Sequence, residues 1–465
     1  MTDLTVDSTA RAQADAVRRR EVSARELLDL HLDRIAERNP ELNAIVALDQ
    51  ERARAGAAAA DDALGRGAEV GPLHGLPFAV KDTHALAGWR TTYGSPLHAD
   101  DVADHDDLLV ERIRAAGAVF LGKTNVPEFA AGSHTFNTIF GVTRNPIDPT
   151  RSAGGSSGGA ACALAAGMVP LADGSDMGGS LRNPASFCGV VGMRPSLGRV
   201  PEWPADNQWE TTSVGGPLAR NVGDLALLLS VISGPDPRAP LALGDPGATF
   251  APPVVPAALQ GLRVATTVDL DGLLVVDHEV AGVVRATADR LAGAGALVSD
   301  TAPDLTLGDD TFRTLRAWHF QARFGERLAA HPEAFKASLA TNIRLGESLT
   351  GADVARAYRQ RTSLAETMRL FFERHDVLLL PTSQVPPFPV DHEFPATING
   401  QEMPDYLAWM RSAYLITVTG CPAISVPAGT TADGLPVGVQ LVAPHGADRR
   451  LLEVAAALEQ LVSAG

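Results

Sequence analysis

Two short stretches set serines where acyl chemistry could take place. A-G-G-S-S-G-G-A holds Ser156 and Ser157 among glycines, and D-M-G-G-S-L-R holds Ser180 behind a second glycine pair. Glycine lets successive backbone N–H groups turn toward one point and lets a substrate carbonyl come close. The amides of Met177, Gly178, Gly179 and Ser180 are therefore candidate oxyanion donors, with Ser180 the candidate nucleophile. A serine hydroxyl is a weak nucleophile until a base takes its proton, and no histidine lies between residues 153 and 184. The candidate base is Lys81, which ends the apolar run P-F-A-V-K. A free lysine, with a pKa of about 10.4, is protonated at neutral pH. Burial disfavours the charged form and can leave a neutral amine. Ser156, on its own glycine cradle, is a candidate relay between Lys81 and Ser180.

Around these three stand supporting candidates. Ser157 has two readings: it bonds Lys81 or the Asp176 region, or it caps the helix expected near Ala160. Asp176 and Arg182 flank Ser180 and are expected to pair and brace its loop. His74 and His84 bracket Lys81 and read first as loop histidines. Trp203, Trp209, Trp318, Tyr406 and Trp409 lie outside the glycine-serine block; they are substrate-pocket candidates against a reading of plain packing. Cys162 and Cys188 sit in apolar settings and read as buried structural thiols.

Two motifs point elsewhere. G-A-V-F-L-G-K-T (117–124) matches G-x-x-x-x-G-K-[ST] letter for letter. A phosphate-binding loop needs intervening residues that wrap phosphate with their amides, and Ala-Val-Phe-Leu belongs in a strand instead. G-G-S-S-G matches the G-x-S-x-G elbow of α/β-hydrolase serine esterases, with His445 as the late base. That elbow requires a strand directly before the serine, whereas R-N-P-I-D-P-T-R-S-A carries two prolines.

The elements that must position these groups read as α/β. P-F-A-V-K-D is a buried strand, D-D-L-L-V-E-R-I-R-A-A-G a helix closed by Gly117, and A-V-F-L a second strand. The same grammar returns over 261–299, with a helix at 278–292. Alternating strands and helices predict a large mixed, largely parallel sheet covered by helices on both faces. S-A-R-E (23–26) is a capping box opening a helix that Asn39-Pro40 should stop. A-I-S-V-P-A-G and P-V-G-V-Q-L-V-A read as two late strands before a final helix with Leu451, Val454, Ala455, Leu458 and Leu461 on one face. Core strands near both ends favour one domain over residues 1–465. Within it lie a helical segment over about 1–65, a glycine-serine core over about 70–220 and a variable pocket region over about 300–415.

Composition narrows the class. The balance of 39 basic to 55 acidic residues, net −16, argues against nucleic-acid or anionic-membrane binding. Three scattered cysteines match no zinc spacing and no disulfide framework, and the 12 histidines show no metal-ligand pairing. With no signal pattern and no long apolar run, the expected location is the cytoplasm. The chemistry calls for no metal and no cofactor.

The block G-G-S-S-G-G followed by G-S-D-M-G-G-S-L-R-N-P-A-S-F-C-G-V-V-G-M-R-P-S resembles the amidase signature family. So do G-P-L-H-G-L-P-F-A-V-K-D, L-G-K-T-N-V-P-E-F, D-V-L-L-L-P-T, T-G-C-P-A-I-S-V-P-A-G and G-L-P-V-G-V-Q-L-V, so that the match runs from about residue 20 to the end. The resemblance implies a Ser-Ser-Lys triad of Lys81, Ser156 and Ser180, with a cis peptide bond before Ser156. It implies hydrolysis of a small-molecule aryl or alkyl amide, or a carbamate, through an acyl-enzyme. Many members form homodimers, and the resemblance leaves that state open here. The alternative within the same family is a glutamine amidohydrolase subunit of an amidotransferase. Against it, E-T-T-S-V-G-G-P stands where that branch carries S-S-L-D-Q-I-G-P.

Overall fold

Ser23 opens the first long helix as its capping box predicts: its hydroxyl accepts the Glu26 amide, and the Glu26 carboxylate accepts the Ser23 amide. The helix runs past the expected stop. In the computed structural model, which describes residues 4–463, it spans Ala24–Leu42 with Pro40 in its last turn. A proline there forfeits one intrahelical bond. Asn39 Oδ1 then takes over the chain's exit, accepting the amides of Ala44 and Ile45 at 2.9 Å each.

Eleven strands form one sheet. Its order is Ile45–Leu48, Val119–Thr124, Pro77–Lys81, Leu171–Asp176, Val214–Ala219, Val191–Arg194, Ala423–Thr430, Pro436–Val442, Val377–Pro381, Arg263–Thr266 and Leu297–Asp300. One sheet thus draws its strands from residue 45 to residue 442.

The sheet is mixed, and its parallel pairings occupy the two flanks. Val119–Thr124, Pro77–Lys81 and Leu171–Asp176 run parallel, as do Val377–Pro381, Arg263–Thr266 and Leu297–Asp300. The two flanks contain the segments whose strand-helix-strand grammar is legible, with Leu108–Ala115 and His278–Gly293 as the crossover helices. The centre is antiparallel, and two of its pairings join strands linked without a helix, Val191–Arg194 with Val214–Ala219 and Ala423–Thr430 with Pro436–Val442. Ala423–Thr430 and Pro436–Val442, for example, form a hairpin closed by the Thr431 amide on the Leu435 carbonyl at 2.9 Å.

Every residue of Val214–Ala219 and Pro436–Val442 is buried, as strands covered on both faces must be. Helices Gly158–Ala165 and Arg182–Cys188 pack on each other and on the central strands, and Val222–Ile232 packs with Asp448–Ser463. The last helix buries Leu451, Val454, Ala455 and Leu458, and half-buries Leu461. Each fully buried leucine or valine among them contributes about 1.5 to 3 kcal/mol.

The phosphate-loop look-alike is the fully buried strand Val119–Thr124. Lys123 donates to the His84 carbonyl at 2.6 Å and to Thr91 Oγ1 at 2.9 Å, and lies 3.7 Å from Asp82. The lysine is committed to the fold. Among the described residues, no helix is long and apolar enough to cross a membrane.

Candidate active site

Lys81 ends its strand fully buried, and three hydroxyls surround its amine. Nζ donates to Ser156 Oγ at 2.9 Å, Ser157 Oγ at 2.9 Å and Ser175 Oγ at 3.0 Å. Its backbone amide donates to Asp173 Oδ1 at 3.0 Å. Burial lowers the amine's pKa from 10.5 to about 7, against the opposing pull of Asp173 and Asp176. Removing water from a cation outweighs two carboxylates that do not touch it.

The Ser156 loop is held by its carbonyls. Ser133 Oγ donates to the Gly155 carbonyl at 2.6 Å and Thr135 Oγ1 to the Gly154 carbonyl at 2.8 Å. The peptide bond between Gly155 and Ser156 is cis, at the position that the resemblance implies. Ser157 precedes the helix Gly158–Ala165, yet its hydroxyl makes no capping bond and meets Lys81 instead. The glycines after it are required by packing: a Cβ on Gly159 would lie 2.4 Å from the Asn125 nitrogen and 2.7 Å from the Ala44 carbonyl oxygen.

Ser180 stands beside this loop, since the Ser157 amide donates to the Ser180 carbonyl at 3.2 Å. The turn before it is organised by Asp176. One carboxylate oxygen accepts the Gly179 amide at 2.9 Å, and the other the Leu181 amide at 3.1 Å. This corrects the expected donor set, because the Gly179 N–H is spent on Asp176, as aspartates often do within a turn of their own backbone. Among the described residues, the amides of Met177, Gly178 and Ser180 meet no protein acceptor. Gly179 sits at φ +108, a left-handed conformation suited to glycine, and a Cβ there would lie 2.6 Å from the Ala413 Cβ.

Asp176 and Arg182 brace the loop as expected. Arg182 donates to Asp176 from Nε at 3.0 Å and Nη2 at 2.9 Å, and reaches the Ala413 carbonyl, Gln440 and Thr417. Arg194 lies 3.6 Å from the same carboxylate. Despite burial, these cations hold Asp176 well below the usual carboxylate range. Arg182→Met would leave that carboxylate buried and short of its main partner. It should lower unfolding free energy by about 3 to 5 kcal/mol, measured by chemical denaturation.

The two serine loops open on a cavity of about 630 Å³ whose lining includes Ser156, Ser175, Met177, Gly178, Ser180, His84, Trp203, Arg316 and Trp318. The structure thus divides the candidate aromatics. Trp203 and Trp318 line the cavity, Trp209 is 65 % exposed outside it, and Trp409 is core, with its ring 6.0 Å from Phe187 and 5.3 Å from Phe388. Tyr406 is buried behind Arg316. His84 lines the cavity with Nδ1 2.5 Å from Asp173 Oδ2, whereas His74 Nε2 bonds the Ala60 carbonyl away from it. Cys162, Cys188 and Cys421 are buried free thiols, pushed up in pKa by that burial.

The serine-esterase reading fails on geometry. No strand precedes Ser156, and His445 lies beside Gly420, outside the cavity lining. Sequence reasoning missed Ser175, the third hydroxyl on Lys81. Its signal was the alternation of strand Leu171–Asp176, which puts Asp173 and Ser175 on one face. Among the described residues, no group of His, Cys, Asp and Glu is arranged to hold a metal ion.

Known proteins resemble this one along nearly the whole chain. The family pattern described as Amidase matches residues 26–452. A Glutamyl-tRNA(Gln) amidotransferase component of Synechococcus sp. (strain CC9605) is 38% identical, over 98% of this chain and 96% of its own. The acylamidase of Rhodococcus erythropolis is 35% identical, over 97% and 94%. The crystal structure of a bacterial aryl acylamidase of the amidase signature enzymes superposes with a TM-score of 0.91 at 30% identity, covering 98% of this chain and 96% of that one. A family pattern spanning the lysine strand, both serine loops and the closing hairpin leaves one assignment: the chain belongs to the amidase signature family.

Proposed function

We propose that the protein hydrolyses the C–N bond of a small carboxylic amide, with Ser180 as nucleophile, Ser156 as relay and Lys81 as base. The observation that carries this reading is the buried amine of Lys81, with a pKa of about 7, bonded at 2.9 Å to Ser156 Oγ.

An ammonium has three N–H donors, while a neutral amine has two and one lone pair. Three hydroxyls around Nζ serve both states. In the neutral state Ser157 and Ser175 accept, and Ser156 turns its proton toward the lone pair. As Ser180 Oγ bonds to the amide carbon, its proton passes to Ser156 Oγ and the Ser156 proton to Lys81. The carbonyl oxygen becomes an oxyanion before the free amides of Met177, Gly178 and Ser180. When the C–N bond breaks, the proton returns through Ser156 to the leaving nitrogen, giving the free amine and an ester on Ser180. Water then repeats the sequence and releases the acid. Backbone donors aimed at a developing oxyanion are worth about 10² to 10³ in rate each.

A second reading, a glutamine-hydrolysing component of an amidotransferase, is favoured by the 38% identity to the Synechococcus protein. Against it stand the superposition on an aryl acylamidase and the E-T-T-S-V-G-G-P stretch. Glutaminase activity that appears only with partner proteins would decide for it.

Labelling with a serine-reactive fluorophosphonate, read by peptide mapping, tests the nucleophile without a known substrate. One adduct on Ser180 is expected, and none after Lys81→Met. An adduct on Ser156 would overturn the assignment.

A further inference from the structure

Four arginines are buried to below a tenth exposure among the described residues: Arg182, Arg194, Arg199 and Arg316. Three have carboxylates. Arg182 and Arg194 share Asp176, and Arg199 lies 2.7 Å from Asp245 and 3.1 Å from Asp448. Arg316 has none. Its Nε donates to Asn342 Oδ1 at 3.1 Å, Nη1 to the Met177 sulfur at 3.0 Å and Nη2 to the Tyr406 hydroxyl at 2.8 Å. Its guanidinium lies 4.0 Å from the Phe320 ring centre. These are neutral partners, and a thioether is a weak one.

A buried cation without a counter-charge is costly, so proteins pair it or reserve it for a ligand. The cavity's own carboxylates are engaged elsewhere. Asp206 lies 3.6 Å from Arg323, Glu210 accepts the amides of Thr212 and Ser213, Glu202 that of Gly215, and Asp107 that of Ala85. Arg316 lines the same cavity as Ser180 and touches Met177, the first residue of the oxyanion turn. Of its five N–H groups three are used, which leaves one on each terminal nitrogen. Those two donors are available to a carboxylate, a charge-assisted acceptor stronger than the neutral groups around them.

We infer that Arg316 selects amides that carry a carboxylate, binding that group while the reacting carbonyl faces the Met177–Ser180 turn. The inference rests on the amidase reading above and narrows its substrate class. Arg316 is a specificity residue in this account and takes no part in proton transfer.

The test compares two matched pairs: glutaric acid monoanilide with its methyl ester, and 4-acetamidobenzoate with 4′-methylacetanilide. In at least one pair the wild-type enzyme should favour the carboxylate member in kcat/KM by about tenfold or more. Arg316→Gln should bring that ratio close to one, and Arg316→Lys, which keeps the charge, should retain its direction. Should neither pair be turned over, protection of Ser180 from the fluorophosphonate by each member gives the same ratio. A ratio near one in both pairs, or an equal loss on both members in Arg316→Gln, would overturn the inference. If Ser180 is still labelled in that case, the amidase reading stands and only Arg316 is misassigned. Absence of both label and turnover would remove the amidase reading and the inference with it.

Discussion

Ser180→Ala should abolish turnover while leaving the fold intact. The side chain makes no hydrogen bond with any described residue, and the loop is held by Asp176 and Arg182 through neighbouring amides. Removing the hydroxyl therefore deletes the nucleophile and little else. The expected loss in kcat is of order 10⁴ to 10⁶, the scale on which serine nucleophiles act in concert with their base. Steady-state kinetics on any turned-over amide, paired with a thermal melt, checks both halves. A variant that keeps a tenth of the activity would exclude Ser180 as the attacking group.

The second large effect concerns Lys81. With a pKa of about 7, the amine is half neutral near pH 7. Below that pH, kcat/KM should fall about tenfold per unit, and above it the profile should flatten. Lys81→Met should cost about 10² to 10⁴ in kcat/KM and erase that inflection, and Ser156→Ala should cost somewhat less. Near-full activity of Lys81→Met at neutral pH would remove it as the base. The same shift ties stability to pH. The folded pKa lies below the 10.5 of the unfolded chain, so between about pH 7 and 10.5 the unfolded state binds the extra proton. The contribution of Lys81 to stability is least favourable below pH 7 and rises through that window.

Lys81, Ser156 and Ser180 stood out as candidates because the chemistry needs particular residue types in glycine settings that chance seldom produces together, and the structure brings Lys81 and Ser156 into contact and Ser156 and Ser180 to one cavity. The Asp176–Arg182 brace was legible for a similar reason, being a charge pair six residues apart around a turn. The Gly179 amide was misread, although D-M-G-G already carries an aspartate within reach of its own turn. Ser157 was left between two roles because a residue before a helix caps it by default, and only the position of Lys81 decides otherwise. Ser175 depended on how the strand ending at Lys81 sits beside Leu171–Asp176, where Phe78 pairs with Leu171. That register joins segments some ninety residues apart and is set by packing. The antiparallel centre of the sheet was hidden likewise, since a strand's local pattern does not name its neighbour. Arg316 gave no signal at all, being one charge on an amphipathic helix until its surroundings are known.

The clamp on the Ser180 turn also fixes when the site can come into being. Arg182 holds that turn through Ala413, Thr417 and Gln440, groups 231 to 258 residues further along the chain. At synthesis rates of about 5 to 20 residues per second, Gln440 follows Arg182 by more than about ten seconds. During that interval the lysine, both serine loops and the aspartate already exist, but the brace that shapes the turn does not. A nascent chain thus carries every residue proposed to react while lacking the clamp, and that clamp closes only when the last hairpin has been made.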